Sequence, residues 1–221
     1  MELYDVMRTT AAVREYTDDP LPDEVLHTIL ENARFAPSGG NRQGAQVIVV
    51  RSRATREALV SLMEAPARRY TAQRAVGETP YNSYTPSAVS ESDVEATTVP
   101  DHLTSPVLNA PVLLVVCVDL NRVAALDKDL ERVGLAGGAS IYPLVWNILL
   151  AARNEGYGGT ITTIAVAAEP ELKQLLGLPD HVAVAAVVPL GRPVKQLTKL
   201  RRVAVEEFTH HETWAGPPLT G

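Results

Sequence analysis

The stretch "FAPSGGNRQG", from Phe35 to Gly44, stands between an amphipathic helical pattern and an apolar strand pattern. It contains proline, serine, glycine, asparagine and glutamine, so it has little to bury and many groups that form hydrogen bonds. A plain helix-to-strand turn needs only a single glycine, with or without an asparagine. Either the stretch is only a turn, or its backbone and amides are shaped around a polar, planar ligand.

The residues on either side of this stretch predict a helix and a strand. From Pro22 to Phe35, apolar side chains recur at helical spacing behind residues that suit a first helical turn: Val25, Leu26, Ile29, Leu30 and Ala33. Pro37 ends this helix, because proline disfavours the helical conformation in the residue before it. The segment "AQVIVVR" follows as a strand.

Farther along the chain, helices outnumber strands. The patterns predict a second helix from about residue 54 to residue 65 or beyond, and a long helix at about 138–154 that ends in the glycine turn "NEGYGGT". They also predict a buried strand "PVLLVVCVD", a short helix "PELKQLLG" and a strand "HVAVAAVVPLG". The strands are unequally spaced, which favours an α+β fold over a doubly wound sheet. We expect a single domain over residues 1–221.

Residues 78–101 have an unusual composition. They contain five acidic residues and three prolines, no lysine or arginine, and no period of a helix or strand. We therefore expect a loop or lid insertion at about 78–105. Long loops of this kind are usually functional or disordered, so a lid over a ligand and a mobile surface insertion both stay open. Tyr81 and Tyr84 favour the lid, because their rings can cover a ligand.

Composition and charge exclude several classes of function. The chain has 46% apolar residues, 21% charged residues and a net charge of −6, which argues against nucleic acid or an anionic membrane as a partner. Cys117 has no thiol partner and lies in an apolar run, so we interpret it as structural and the compartment as reducing. The start "MELYDVMRTT" has no targeting pattern, which makes a cytoplasmic location the expectation.

Two segments near the chain ends contain basic residues. The segment "MRTTAAVREY" places arginine forks and hydroxyls, which suit phosphate oxygens, within one or two helical turns: Arg8, Thr9, Thr10 and Arg14. Taken alone, a solvated, capped helix end is the better interpretation. The segment "GRPVKQLTKLRR", 191–202, contains Arg201, Arg202 and three further cations without any acid. Basic tails are usually solvated surface, but in this acidic chain the segment is a candidate anion site.

Two glycine-containing segments present backbone groups instead. In the stretch at 35–44, Ser38, Asn41 and Gln43 offer donors and acceptors, and Gly39 lets a backbone amide approach a ring closely. The segment "GYGGTITT", 156–163, ends a helix and exposes N–H groups. It matches neither the Walker phosphate loop nor the G-x-G-x-x-G pattern. By itself it is most simply a turn.

Other kinds of site find no support in the sequence. The five histidines show no metal-ligand spacing, and no G-x-S-x-G nucleophile motif occurs. We therefore predict no metal site, and the commonest hydrolase signature is absent. The candidate segments indicate a protein that binds a ring-containing, phosphate-bearing molecule whose own chemistry performs the reaction.

In their order along the chain, these segments resemble the nitroreductase family of FMN-dependent NAD(P)H oxidoreductases. The run from Leu3 to Gly44 is similar to the N-terminal signature of the family, including "APS" and the Asn-x-Gln pattern after it. The turn "GYGGT" is similar to the family's "GLG" turn. The segments "LGRP" and "LRRVAVEEF" are similar to its C-terminal Gly-x-Pro and arginine-containing region. The resemblance covers nearly the whole chain.

The resemblance implies a fold, a cofactor and a reaction. The fold is α+β, with a mostly antiparallel central sheet flanked by helices, in an intertwined homodimer that binds FMN at its interface. The segment at about 191–221 forms a C-terminal arm. NADH or NADPH reduces the flavin, and a nitroaromatic, quinone or enone oxidant then takes the electrons in a ping-pong mechanism. The alternative is a non-catalytic flavin-binding storage or sensor protein.

The resemblance also assigns cofactor-binding residues. The phosphate would be held by Arg8 and Arg14, with Thr9 or Thr10 and with Arg201 or Arg202. The ring would lie along Pro37, Ser38 and Gly39, near Asn41 and Gln43, with Gly158, Gly159 and Thr160 on its other side. Where many members have Arg-Arg-Ser, this chain has Thr10, Ala11 and Ala12. Phosphate binding must therefore either shift onto Arg8, Thr9 and the C-terminal arginines or be weaker.

Overall fold

A four-stranded antiparallel sheet forms the centre of the protein in a computed structural model that describes residues 1–221. Its strands are β1 (Ala45–Val50), β2 (Val112–Asp119), β3 (Gly158–Gly159) and β4 (Val182–Gly191), in the spatial order β1-β2-β4-β3. β2 and β4 are the central strands, and nearly all their residues are buried. The predicted α+β class with a mostly antiparallel sheet is confirmed.

Helices cover both faces of this sheet. They are α1 (Leu3–Thr9), α2 (Asp23–Ala33), α3 (Arg53–Ala75), α4 (Glu91–Ala96), α5 (Ser105–Asn109), α6 (Tyr142–Asn154) and α7 (Glu169–Leu176). One core contains buried side chains of α2 and α6, and the other contains side chains of α3, α5 and α7. No helix combines the length and apolar composition needed to cross a bilayer.

The position of β2 between two hydrophobic cores explains why its sequence is apolar without alternation. Successive side chains of a strand point to opposite faces, and both faces of this sheet are covered. Leu114 and Val116 belong to the core that contains α2 and α6. Leu113 and Val115 belong to the core that contains α3, α5 and α7. Each face of the strand therefore contributes to a different hydrophobic core.

The segment after α1 joins the sheet at β3. The Val13 N–H donates to the Gly159 carbonyl at 2.9 Å, and Ala12 forms a parallel bridge with Gly159. The Tyr16 hydroxyl lies 2.8 Å from the Val13 carbonyl and 3.1 Å from that of Pro189. Burial raises the pKa of Tyr16, so its hydroxyl stays a neutral hydrogen-bonding group. These contacts hold the N-terminal basic segment against the glycine turn.

Residues 78–101 differ from the long loop that their composition predicts, because they contain helix α4. Ser90 caps this helix: its Oγ accepts the Asp93 N–H, and the Asp93 carboxylate accepts the Ser90 N–H at 3.0 Å. Glu91 forms an ion pair with Arg69 of α3 at 2.6 Å, and Val94 is buried. The middle of the insertion is therefore packed against α3. That the insertion at about 78–105 acts as a lid stays a prediction.

Candidate functional site

The stretch at 37–43 forms a compact turn held by its own polar groups. The Ser38 Oγ accepts the Gln43 N–H at 2.9 Å, and the Arg42 Nη1 donates to the Gly39 carbonyl at 3.0 Å. The Gly39 N–H donates to the Ser140 Oγ, just before α6, at 3.0 Å. The turn is thus fixed both internally and to the neighbouring helix. Neither Ser140 nor Arg42 was singled out from the sequence, since neither belongs to a recognised pattern.

The backbone of this turn is strained. Gly40, Asn41 and Gln43 have φ angles of 59°, 51° and 48°, in the left-handed region. Glycine adopts that region freely and asparagine tolerates it, but glutamine does so at a cost. Strain of this kind is typical of functional sites, where surrounding contacts maintain it. A simple helix-to-strand connection does not require it.

The same turn borders a cavity of about 260 Å³. Pro37, Ser38 and Gln43 line it, together with Arg34, Ser140 and Leu144 among others. Asn41 lies beside it, and its Oδ1 accepts the Gln43 Nε2 at 3.2 Å. Three of the predicted residues, Pro37, Ser38 and Gln43, therefore line this cavity, and Gly39 and Asn41 belong to the same turn. The cavity wall combines a flat apolar ring with amide and hydroxyl groups.

The glycines of β3 have a packing reason that the sequence did not reveal. A Cβ at Gly158 would lie 2.7 Å from the Val13 Cγ2, and one at Gly159 would lie 2.4 Å from the Pro189 carbonyl oxygen. Both glycines are buried. Close packing of the N-terminal segment and β4 therefore requires glycine at both positions, with or without a ligand.

A second cavity, of about 180 Å³, brings together Arg14 and Thr160. Tyr70 of α3 and His102, just before α5, also line it, and no carboxylate does. This set of donors and hydroxyls suits a ligand rich in hydrogen-bond acceptors. No sequence pattern indicated Tyr70 or His102, because they come from distant parts of the chain. His102 and Leu103 belong to the insertion at about 78–105, so the end of that insertion lines this cavity.

The two tyrosines predicted to cover a ligand lie elsewhere. The Tyr81 hydroxyl donates to the carbonyl of Pro66 in α3 at 3.1 Å, and both residues line a groove that is separate from the two cavities. Tyr84 is 95% exposed. Neither side chain lines the cavity that contains Arg14 or the one that contains Pro37. That Tyr81 and Tyr84 cover a ligand therefore stays a prediction, without support from the lining of these two cavities.

The hydroxyls of Thr9 and Thr10 are already used inside α1. They donate to the carbonyls of Asp5 and Val6 at 2.6 Å and 2.7 Å, respectively. The Thr9 Oγ1 also accepts the Arg153 Nε at 3.0 Å. A hydroxyl has only one hydrogen to donate, so neither is free to donate to a phosphate in this arrangement. Arg153, at the end of α6, is a nearby cation that sequence reasoning missed.

The four predicted arginines have no acidic partner in the chain. Arg8, Arg14, Arg201 and Arg202 form none of its ion pairs. Arg8 lies over the Tyr4 ring at 5.8 Å, and the Arg202 Nη1 donates to the Arg201 carbonyl at 2.7 Å. No hydrogen bond or ion pair joins Arg201 or Arg202 to the N-terminal segment. The two basic segments nevertheless lie together within one chain, because the Val194 N–H donates to the Glu15 carbonyl and the Gln196 Nε2 donates to the Thr9 carbonyl, each at 3.1 Å.

Comparison with known proteins identifies the family. The model of the nitroreductase family matches residues 7–192, which includes the N-terminal segment, the turn at 37–43 and β3. This chain belongs to the nitroreductase family. The family resemblance of the sequence is thereby confirmed.

Relatives and solved structures agree with membership of the nitroreductase family. The chain is 29% identical over 198 residues to an NADH dehydrogenase of Thermus thermophilus, with 88% of each chain covered. It is 26% identical over 215 residues to an FMN reductase (NAD(P)H) of Bacillus subtilis, covering 92% of this chain and 70% of that one. The fold matches oxidised iodotyrosine deiodinase bound to FMN and 3-iodo-L-tyrosine with a TM-score of 0.69 and 20% identity, over 96% of this chain and 100% of that one. The nitroreductase fold is thereby confirmed.

Proposed function

We propose that this nitroreductase-family protein is an FMN-dependent oxidoreductase that passes electrons from NADH or NADPH to a small organic oxidant. The observation that supports this most directly is the strained polar turn at 37–43, which lines a cavity at the position of the family's N-terminal signature. Relatives named for NADH oxidation and FMN reduction support the same reaction class. When bound, FMN would accept a hydride from the nicotinamide and pass the electrons on to the oxidant.

The residues around the first cavity fit one edge of a flavin. Pro37 offers a flat apolar surface, and the exposed amides of Asn41 and Gln43 offer both donors and acceptors. Gly39 has no side chain to obstruct a close approach. In the proposal, Pro37, Ser38 and Gly39 lie along the isoalloxazine, with Asn41 and Gln43 nearby.

The second cavity fits the other side of the same cofactor. Arg14 and Thr160 line it, and Thr160 directly follows the two glycines of β3. In the proposal, β3 and Thr160 face the ring from the side opposite to the turn at 37–43. The two cavities share no lining residue. A homodimer in which each subunit contributes one cavity is therefore part of the proposal.

Arginines carry the charge that the cofactor phosphate needs. Arg8 and Arg14 stand free of acids, whereas the hydroxyls of Thr9 and Thr10 donate within α1. Arg201 or Arg202 of the C-terminal arm completes the phosphate site, with the arm of one subunit reaching the other. Charge-assisted bonds from arginine forks are strong enough to replace the missing Arg-Arg-Ser pattern.

In this proposal, the groups of the protein bind and orient the cofactor and its substrates. The reduced nicotinamide and the oxidant, a nitroaromatic, quinone or enone, occupy the same place in turn, which gives ping-pong kinetics. The sole thiol is unsuited to covalent chemistry, because burial and nearby Glu169 raise the pKa of Cys117 to about 11. No side chain is assigned a proton-transfer role.

Anaerobic mixing with a nicotinamide tests the proposal. Protein loaded with FMN should lose its visible flavin absorbance on addition of NADH or NADPH, and regain it when a quinone is added. Double-reciprocal plots at several oxidant concentrations should be parallel. Retained FMN that neither nicotinamide bleaches would instead favour a flavin-binding storage or sensor protein. Intersecting plots would contradict the ping-pong order.

A further inference from the structure

A cavity of about 480 Å³ at the start of α3 is lined by three arginines, Arg51, Arg53 and Arg56. It shares no lining residue with the two cavities of the proposed flavin site. Only one carboxylate, that of Asp18, lines it as well. Three cations around one opening stand out in a chain whose net charge is −6, so we asked what they bind.

Arg56 is a buried cation without an acidic partner. It is only 7% exposed, and it forms none of the ion pairs of the chain. Its Nη1 and Nη2 donate to four backbone carbonyls, those of Val50, Leu108, Ala110 and Pro111. Its Nε has no hydrogen-bond partner. Because a buried charge without a counterion is unfavourable, an anion in the adjoining cavity would offset that cost.

The other two arginines add positive charge beside Arg56. The Arg53 Nη1 lies 3.5 Å from the Leu108 carbonyl oxygen, and the Arg56 Nη1 lies 3.4 Å from the same oxygen. Burial, and then the charges of Arg51 and Arg53, lower the pKa of Arg56. Helix α3 begins at Arg53, and the N-terminal end of a helix dipole is also positive. All of these contributions favour negative charge in the cavity.

The acids around the cavity leave its arginines available to a ligand. Asp23 pairs with Arg51 at 2.5 Å, and Glu57 pairs with Arg53 at 2.8 Å. Every side chain in these two pairs is at least 39% exposed, and exposed ion pairs contribute little free energy. A ligand anion can therefore replace either acid. Asp18 forms no ion pair, so its carboxylate is available to accept hydrogen bonds.

The rest of the lining indicates which anion fits. No aromatic side chain lines the cavity, so a nucleobase would find no ring on which to stack. The side chains of Asp18 and Asn109 are exposed there. A carboxylate accepts hydrogen bonds from hydroxyl groups, and an amide both donates and accepts them. Sugar hydroxyls match these groups, and arginine forks match the oxygens of a phosphate.

We propose that this cavity is a second small-molecule site of the protein and that it binds a sugar phosphate. The phosphate contacts the three arginines, and the sugar hydroxyls contact Asp18 and Asn109. The volume of the cavity lies within the roughly 300–1,000 Å³ that is usual for small-molecule sites. The site is separate from the proposed flavin site, and its occupancy does not depend on flavin chemistry.

Calorimetric titration with ribose 5-phosphate tests the site, with protein that carries FMN and has been freed of excess FMN. One molecule should bind per chain, more tightly than inorganic phosphate. Arg53→Gln should raise the Kd about tenfold, because one partner of a charged hydrogen bond is lost. Arg74→Gln, at the opposite end of α3, is the matched control and should leave the Kd unchanged. Arg56 stays in place, because its removal would unpair four carbonyls.

Asp18→Ala distinguishes a sugar phosphate from a plain anion. Inorganic phosphate should bind more tightly to this variant, because a negative charge near the arginines has been removed. Ribose 5-phosphate should gain less or lose affinity, because its hydroxyls lose a charged acceptor. Its preference over inorganic phosphate should therefore shrink about tenfold.

Four results would overturn the proposal. The first is that ribose 5-phosphate does not bind. The second is equal weakening in Arg53→Gln and Arg74→Gln, which would make the attraction a property of the general surface charge. The third is weakening in Arg14→Ala but not in Arg53→Gln, which would assign the ligand to the flavin phosphate site. The fourth is tighter binding of AMP than of ribose 5-phosphate, which would indicate a nucleotide site. Failure of the proposed function is seen separately, as FMN-loaded protein that neither nicotinamide bleaches.

Discussion

At the scale of single residues, Arg14 is a cation for which the chain provides no acidic partner. It lines the cavity that also contains Thr160. Removal of one partner of a charge-assisted hydrogen bond costs about 1.5–3 kcal/mol, or roughly ten- to a hundredfold in affinity. Arg14→Ala should therefore raise the Kd for FMN by that factor, measured by flavin fluorescence titration.

Arg74→Ala provides the control, since Arg74 is exposed at the end of α3 and lines neither cavity of the proposed site. Both variants should sediment like the unmodified protein. An unchanged Kd in Arg14→Ala would remove Arg14 from the phosphate site and leave the charge to Arg8 and the arm.

The residue scale also shows what composition leaves open. Thr9 and Thr10 have the right chemistry for a phosphate, and the family resemblance assigned one or the other to it. Their side chains instead bond back to carbonyls one turn earlier, a common local alternative for threonine near a helix end. Composition shows which groups exist, but the direction of a hydroxyl hydrogen depends on the folded backbone.

At the scale of elements, helix α4 depends on its cap. It has only six residues, from Glu91 to Ala96, and short helices gain little from their own hydrogen bonds. Ser90 satisfies the Asp93 N–H at its start. Ser90→Ala should cost about 1 kcal/mol of local stability, seen as faster hydrogen exchange of the amides at 93–97.

Glu95→Gln is the matched control, because Glu95 is exposed in the same helix and does not cap it. FMN affinity should not change in either variant, because α4 lines neither cavity of the proposed site. Exchange that is equally fast in both variants would mean that packing of Val94, and not the cap, holds α4 in place.

The contrast between α2 and α4 shows what sequence patterns can predict. The helix expected at 22–35 is observed at Asp23–Ala33, because eleven residues give three turns of apolar periodicity. Helix α4 has fewer than two turns and one buried residue, Val94, so no period is detectable. Its only signal is the Ser90 and Asp93 pair. The strand order and the pairing of Ala12 with Gly159 depend on contacts between distant segments, which periodicity does not encode.

At the scale of the whole molecule, three segments expose large apolar side chains that a second subunit could cover. They are α1, α6 and the C-terminal arm: Leu3, Tyr4, Met7, Tyr142, Trp146, Leu197, Val203, Val205 and Phe208. Apart from one turn at Val205–Glu207, the arm has no helix or strand, and its side chains are almost all exposed. An arm of this kind is most easily stabilised by a second subunit.

A homodimer is therefore the expected state, and Trp146 tests it. Trp146 lies on α6 with 41% of its surface exposed, and a charge buried in a large apolar interface without a partner strongly disfavours association. Trp146→Glu should convert the dimer to monomer at micromolar concentration in sedimentation. It should release FMN as well, because the two cavities would then lie on separate molecules. Val76→Glu is the control: Val76 is exposed at the end of α3, and this variant should stay dimeric with FMN bound. An FMN-loaded monomer of the unmodified chain would contradict this arrangement, since one subunit would then contain the whole site.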